Sequence, residues 1–339
     1  MNITFLIGNG FDINLGLKTQ YCDFLEEYKK PCLGDSEIKT YFKQVVLQDE
    51  ALWSNAELAF GESTALFMEQ GFTDADFSEC HTDFCNKLGK YLEKQESRIN
   101  FSQTDVYDVF GATILGITKG LNVGAAEKIR NMINSPKEQV VFNFITFNYT
   151  RVIDKFFTTM KAPNIFLSSS NSKKTYKGRM VHLHGYTNTD MMLGVNDESQ
   201  IKAPQLFKDK YFKIQLIKPI FNQMNGSSVD DISLELINNS DVIYIYGMSL
   251  GDTDAVWWEN VALAMGKNTS MDVIIYVHKK FGDDVVPLQK VRTTDMVKDR
   301  FLSFSGISPI VLDSLKRRTY VVFDNIFEPV GQMISKRII

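Results

Sequence analysis

The stretch Ile3-Thr-Phe-Leu-Ile-Gly-Asn-Gly-Phe-Asp-Ile-Asn-Leu-Gly-Leu17 decides how the rest of the chain is read. Ile3 to Ile7 is uncharged and rich in β-branched and aromatic residues, and Gly8 stops it early. That predicts a short buried strand rather than a helix. Gly8, Asn9 and Gly10 then form a turn, and a helix is expected from near Thr19, with Tyr21, Phe24, Leu25 and Tyr28 as its apolar positions. Strand, glycine turn, helix is the order in which α/β sheets build nucleotide sites. Glycine lets backbone N–H groups approach a pyrophosphate, and the helix N-terminus adds partial positive charge. The dinucleotide fingerprint GxGxxG is not matched, because the third glycine arrives late, at Gly16. A tight structural turn accounts for the local sequence equally well.

Outward from this stretch, residues 20 to about 135 carry almost no strand signal. Apolar spacings of three and four recur instead, as in Tyr107, Phe110, Ile114 and Ile117, or Phe60, Leu66 and Phe67. Trp53-Ser-Asn-Ala-Glu57 opens one of these helices with Trp53 and Glu57 one turn apart, a pattern that fits a buried Trp beside a solvated Glu. The break at 134–138 is followed by Gln139 to Phe147, apolar enough for a central parallel strand. A short helix, Val152 to Met160, and a strand, Asn164 to Leu167, precede a polar loop at 168–178. Met180 to Leu183 and Met191 to Val195 read as short strands, and Lys208 to Met224 as a helix kinked by Pro219. Strands at Asp241–Tyr246, Met271–His278 and Tyr320–Phe323 alternate with helices from near Thr253 and around 285–298. The order predicts an α/β fold with a doubly wound, mostly parallel sheet. Residues 1–19 and 136–339 would form the sheet domain, and 20–135 a helical insertion module after the first strand.

Composition narrows the class of function. The 339 residues are 44% apolar and 23% charged, as in ordinary globular chains, with 25 Phe and 13 Tyr to fill a core. A net charge of −4, with no basic run and no aromatic–basic interleaving, predicts no nucleic-acid partner. Cys22, Cys32, Cys80 and Cys85 contain no CxxC pair, so no zinc or other metal site is expected and free thiols are. The first apolar run is short and lacks a basic leader, and no segment approaches a membrane span. The expected location is the cytoplasm.

Ligands of open α/β sheets bind at the C-terminal ends of strands. Four such ends carry polar residues: Gly8, Asn9, Gly10 and Asp12; Thr146, Asn148, Tyr149 and Thr150; His182 and His184; and Gly247, Ser249, Asp252 and Asp254. Singly each has a plain alternative. Asn148, Thr150, Asp252 or Thr253 could cap helices, and either histidine could be packed in a core. Capping does not explain polar residues at four successive strand ends.

These motifs resemble a family. The opening from Gly8 to Leu17 has the spacing of the sirtuin GAG segment, Thr146-Phe-Asn-Tyr-Thr150 is similar to TQNID, His184-Gly185 to HG, and Gly247-Met-Ser-Leu250 to GTSL. The details resemble the bacterial abortive-infection family AbiH more closely still. Its opening matches Ile7 to Phe24, its WxxxE helix matches Trp53 and Glu57, and FNYT, HLHG and GxSLxxxD complete the set. The resemblance implies a SIR2-like, Rossmann-type fold and cleavage of the nicotinamide–ribose bond of NAD in antiphage defence. Relative to sirtuins, the CxxC pairs and an acyl-lysine groove are absent and Asp12 replaces the motif serine, so deacylation is not implied.

Under that resemblance His184 is the general base and Asn148 holds a ribose hydroxyl or the attacking water. Gly8, Asn9 and Gly10 cradle the pyrophosphate, Asp12 bonds ribose hydroxyls or backbone N–H groups, and Ser249, Asp252 and Asp254 lie against the adenosine half. Gly185 leaves room for substrate, and His182, on the same side of the strand, supports His184. The alternative is a non-catalytic nucleotide-binding sensor or scaffold of a phage-defence system. Because unchecked NAD loss would kill the host, restraint is expected from self-association, or from a phage-derived trigger or regulatory protein acting at the helical block.

Overall fold

The computed structural model describes residues 1–99, 105–135, 139–158, 175–187, 189–206, 210–281, 287–304, 306–336 and 338. Among the described residues six strands form a single all-parallel sheet: β1 (Asn2–Ile7), β2 (Val140–Thr146), β3 (Thr175–His182), β4 (Val242–Tyr246), β5 (Asp272–Tyr276) and β6 (Thr319–Val322). Their spatial order is β3-β2-β1-β4-β5-β6. This is the doubly wound, Rossmann-like order, which reverses direction between β1 and β4.

Between β1 and β2 come α1 (Gly10–Asn14), α2 (Tyr21–Tyr28), α3 (Glu37–Gln44), α4 (Glu50–Trp53), α5 (Ala56–Glu69), α6 (Asp74–Ser97), α7 (Asp105–Leu115) and α8 (Val123–Asn134). The second half adds α9 (Val152–Thr158), α10 (Lys210–Leu216), α11 (Lys218–Met224), α12 (Val229–Asn238), α13 (Ala255–Lys267), α14 (Pro287–Ser303), α15 (Pro309–Arg318) and α16 (Glu328–Ser335).

Alternation along the strands gives the sheet two apolar faces. Ile3, Phe5 and Ile7 join Phe142, Phe144, Tyr244 and Tyr246 on one, under α7, α9 and α16. Leu6, Ile145, Ile243 and Ile245 line the other, covered by α12, α13 and Leu315 of α15. A third core lies away from the sheet, built from aromatic residues of α2 to α6, including Phe42, Trp53, Phe60 and Phe84. It also takes Leu193, Val195, Ile201, Leu216 and Ile217 from the second half of the chain. Residues 20–135 thus divide between two cores, because Phe110, Ile114, Ile117 and Ile129 pack against the sheet.

Several expectations need correction. A helix begins directly at Gly10, and the one expected near Thr19 starts at Tyr21. β3 begins at Thr175, inside the expected polar loop, while residues 164–167 lie outside those described. Met191–Val195 forms no strand; Val195 makes only an isolated bridge to Ile217. The Pro219 segment is not one kinked helix but two, broken at Ile217, because Pro sits in the first turn of α11 where its missing N–H costs nothing. α15 was not expected, since its apolar spacing is sparse. Among the described residues no helix is long and apolar enough to cross a membrane.

Candidate functional site

Backbone bonds draw four strand exits together. Gly8 N–H donates to Tyr246 O (2.9 Å), Gly10 N–H to Gly247 O (2.9 Å), Phe147 N–H to Ile7 O (2.9 Å) and Leu183 N–H to Thr146 O (3.0 Å). The two glycines therefore spend these N–H groups on the neighbouring loop rather than offering them to a phosphate. Their small size serves the same approach: a Cβ on Gly10 would lie 2.5 Å from Gly247 Cα, and one on Gly8 2.7 Å from Gly247 O. Asn9 is likewise engaged, donating to Thr19 O at 2.9 Å and accepting from Thr19 Oγ1 at 2.6 Å.

On one side of the β2 exit, Asp12 is buried in the first turn of α1. It accepts from Thr150 Oγ1 (2.5 Å) and Asn148 Nδ2 (3.2 Å), not from backbone N–H groups. Burial pushes its carboxyl up to about 7; the Thr150 bond opposes this, and Glu96 adds to it. Asn148 is 6% exposed, and its Oδ1 is buried with no hydrogen-bond partner among the described residues. Thr146 Oγ1 accepts from Asn148 N–H at 3.1 Å and fixes the turn.

On the other side, Phe147 and Tyr149 point toward His184, with ring centroids 5.5 and 6.3 Å away. His184 is 4% exposed; its Nε2 lies 3.4 Å from Lys218 Nζ, with hydrogen-bond geometry, and 3.4 Å from Asp254 Oδ1, without it, and its Nδ1 is buried with no hydrogen-bond partner among the described residues. Burial would raise Asp254, but the His184 contact and the Lys218 charge hold its carboxyl below the usual range, so it is ionised at neutral pH. Lys218 is 2% exposed and pairs with Glu57 Oε2 at 2.6 Å. Glu57 Oε1 accepts from the Tyr149 hydroxyl at 2.5 Å. Burial and then the Glu57 charge push the Tyr149 phenol well above its ordinary value, so it stays a donor.

Among the residues picked from sequence, the structure thus brings Asp12 to Asn148 and His184 to Asp254, on opposite sides of the 146–150 loop. Thr146 and Tyr149 join them and Gly8 and Gly10 meet Gly247, whereas Ser249 and Asp252 stand apart, and His182 stands apart from His184. Ser249 is exposed, and Asp252 is exposed and paired with Arg300 at 2.9 Å. His182 does not support His184: β3 ends at His182, alternation stops, and its Nε2 pairs with Asp154 Oδ2 at 2.7 Å. Gly185 leaves no room for a ligand, since a Cβ there would lie 2.1 Å from Asp190 O.

Glu57 and Lys218 were missed. The helix expected across Trp53 and Glu57 breaks at Ser54, and Asn55 caps α5 by accepting from Leu58 N–H, which turns Glu57 inward. No local signal marks Lys218; its unusual setting, directly before Pro219 in an apolar stretch, is the nearest to one. Among the described residues no group of three or more His, Cys, Asp or Glu is arranged to hold a metal.

No curated protein and no solved structure matches the chain. A family model described as bacteriophage abortive infection AbiH does match, over residues 4–276, a span that takes in β1 to β5 and every strand exit described above. The chain therefore belongs to the bacteriophage abortive infection AbiH family.

Proposed function

We propose that the chain cleaves the bond between nicotinamide and ribose in NAD. Membership of the AbiH family supports a role in phage abortive infection; the bond cleaved is what the SIR2-like resemblance of the motifs implies. The observation that carries the proposal is a set of buried polar atoms at the strand exits with no hydrogen-bond partner among the described residues, Asn148 Oδ1 and His184 Nδ1 together with His182 Nδ1 and Asp254 Oδ1. Buried polar atoms are nearly always bonded, so these orphans at the end of a doubly wound sheet support a polar ligand there.

The reaction asks little acid chemistry of the protein. The electron pair of the C1′–N bond leaves with a neutral nicotinamide, and the ribose passes through an oxocarbenium-like state. Water then bonds to C1′ and gives up one proton. Asn148 Oδ1 accepts from a ribose hydroxyl or from that water. His184 Nδ1 takes the proton, and the ionised Asp254 stabilises the imidazolium that results. The orphaned Asn148 and His184 atoms fit this use. The Gly8 and Gly10 N–H groups do not fit a pyrophosphate cradle, because both are already bonded.

A second reading, in which the site binds a nucleotide without turning it over, is favoured by the burial of Asn148 and His184, 6% and 4% exposed. One experiment separates the two. Purified protein is assayed for nicotinamide release beside folded His184→Ala and Asn148→Ala variants. The hydrolase reading expects turnover that falls by about 10²–10⁴-fold in His184→Ala. No turnover, with thermal stabilisation by NAD or ADP-ribose that both variants weaken, would establish the binding reading instead. Neither signal would overturn both.

A further inference from the structure

The α9 side of the 146–150 loop holds groups that the reaction above does not use. His182 Nε2 is hydrogen-bonded to Asp154 Oδ2 at 2.7 Å. A carboxylate only accepts, so the ring proton sits on Nε2, and the neutral ring keeps a lone pair on Nδ1. That Nδ1 is buried with no hydrogen-bond partner among the described residues. Asn148 Oδ1 is in the same condition, while Asn148 Nδ2 is spent on Asp12 Oδ1.

The two orphans border one exit. In the pairing of β2 with β3, His182 stands opposite Thr146, and Thr146 Oγ1 holds the Asn148 N–H at 3.1 Å. His182 also lies near enough to Asp12 to act electrostatically on its carboxyl. Both orphans are acceptors. A ligand that satisfies them must therefore bring two donors, as the adjacent hydroxyls of a ribose do.

A cation stands beside them. Arg151 directly follows Thr150 and is exposed, with its guanidinium 4.7 Å from the centroid of the Tyr186 ring. Tyr186 in turn packs edge-on against His182, their ring centroids 5.0 Å apart. Glu96 takes the Arg151 backbone N–H at 2.7 Å and pairs with Lys155 at 3.5 Å; the Arg151 guanidinium itself has no ion pair among the described residues. Stacked on an aromatic face, a guanidinium keeps its N–H edge available to an anion.

We infer that the α9 side of the β2 exit is a ribose-phosphate subsite, in which Asn148 Oδ1 and His182 Nδ1 accept from the ribose hydroxyls and Arg151 holds the phosphate. The assignment rests on reading the site as a nucleotide site. It gives the phosphate a partner that the glycine turn does not offer, since the Gly8 and Gly10 N–H groups are already bonded.

Ribose 5-phosphate, ribose and 2-deoxyribose 5-phosphate separate the parts, and none of them has a nicotinamide bond to lose. Their affinities for the full-length protein are measured by NMR titration at millimolar concentrations. The wild type is expected to bind ribose 5-phosphate about 10–100-fold tighter than ribose, as for a hydrogen bond to a charged group. Arg151→Met removes that preference and leaves ribose binding unchanged, and Arg151→Lys restores part of it. The 2-deoxy ligand binds the wild type about 3–10-fold more weakly than ribose 5-phosphate, a comparison that needs no variant to fold. His182→Phe keeps the ring's bulk and weakens ribose and ribose 5-phosphate by the same factor. A phosphate preference that survives in Arg151→Met, or a 2-deoxy ligand that binds as well as its parent, overturns the inference. So does a folded His182→Phe with undiminished affinity. ADP-ribose that binds where ribose 5-phosphate does not overturns the subsite and leaves the nucleotide reading standing; if neither binds, both fall.

Discussion

Asp12 shows how much a single buried carboxyl can carry. Its folded value, about 7, lies above the ordinary 3.8, so the folded chain holds a proton that the unfolded chain has lost. Folding therefore takes up a proton between those values, and stability is greatest below the window and falls as pH rises through it. The span corresponds to an upper bound of about 4 kcal/mol. Asp12→Asn should accordingly raise the melting temperature more at pH 8 than at pH 5, which lies part-way into the window. Equal effects at both pH values would mean that the carboxyl is not held protonated. Asp12, Asn148, His184 and Asp254 were all legible in the sequence, because each follows a recognisable strand. Glu57 and Lys218 were not. What buries Glu57 is a partner 161 residues away, and no local pattern encodes that.

At the level of elements, the exits of β1 and β4 are locked by glycine against glycine. A methyl group on Gly10 would meet the backbone of Gly247 on every near side, at 2.5 to 3.1 Å. Gly247 itself holds φ +69°, a left-handed conformation that other residues adopt at a cost. Gly10→Ala should thus destabilise by more than about 2 kcal/mol, since backbone rather than a flexible side chain must move. Gly266→Ala, in α13 with nothing near its would-be Cβ, should instead stabilise by roughly 0.5–1 kcal/mol. Urea unfolding of both variants checks the contrast, and a Gly10→Ala as stable as wild type would break it. The central strands β1, β2, β4 and β5 were readable from continuous apolar runs. The elements misread lie where that signal thins. Met191–Val195 looks like a strand because it packs into the third core as irregular chain. The Pro219 segment looks like one helix because its apolar residues keep period across the break.

The whole molecule is a Rossmann-like sheet joined to a helical core that the second half of the chain completes. Leu193, Val195, Leu216 and Ile217 enter that core beside Trp53 and Phe60. A fragment covering residues 20–97 should therefore lack a cooperative thermal transition, although α2 to α6 lie within it. A sharp melt from that fragment would show that the helical core is self-sufficient. The alternation of strands and helices made the doubly wound sheet legible from sequence. The sharing of the helical core did not follow from it, because apolar residues carry no address for the surface they cover.

The distance between Glu57 and Lys218 along the chain also has a meaning in time. The ribosome releases Glu57 161 residues ahead of its partner, a wait of roughly 8 to 30 s at typical rates of synthesis. Through that interval the helical core lacks its closing residues and the carboxylate has no cation to meet. A chain whose translation stops between His184 and Lys218 carries β1, the glycine turn, Asn148 and His184, yet lacks the cation that pairs with Glu57. Interrupted synthesis thus yields products in which the ionic network is never assembled.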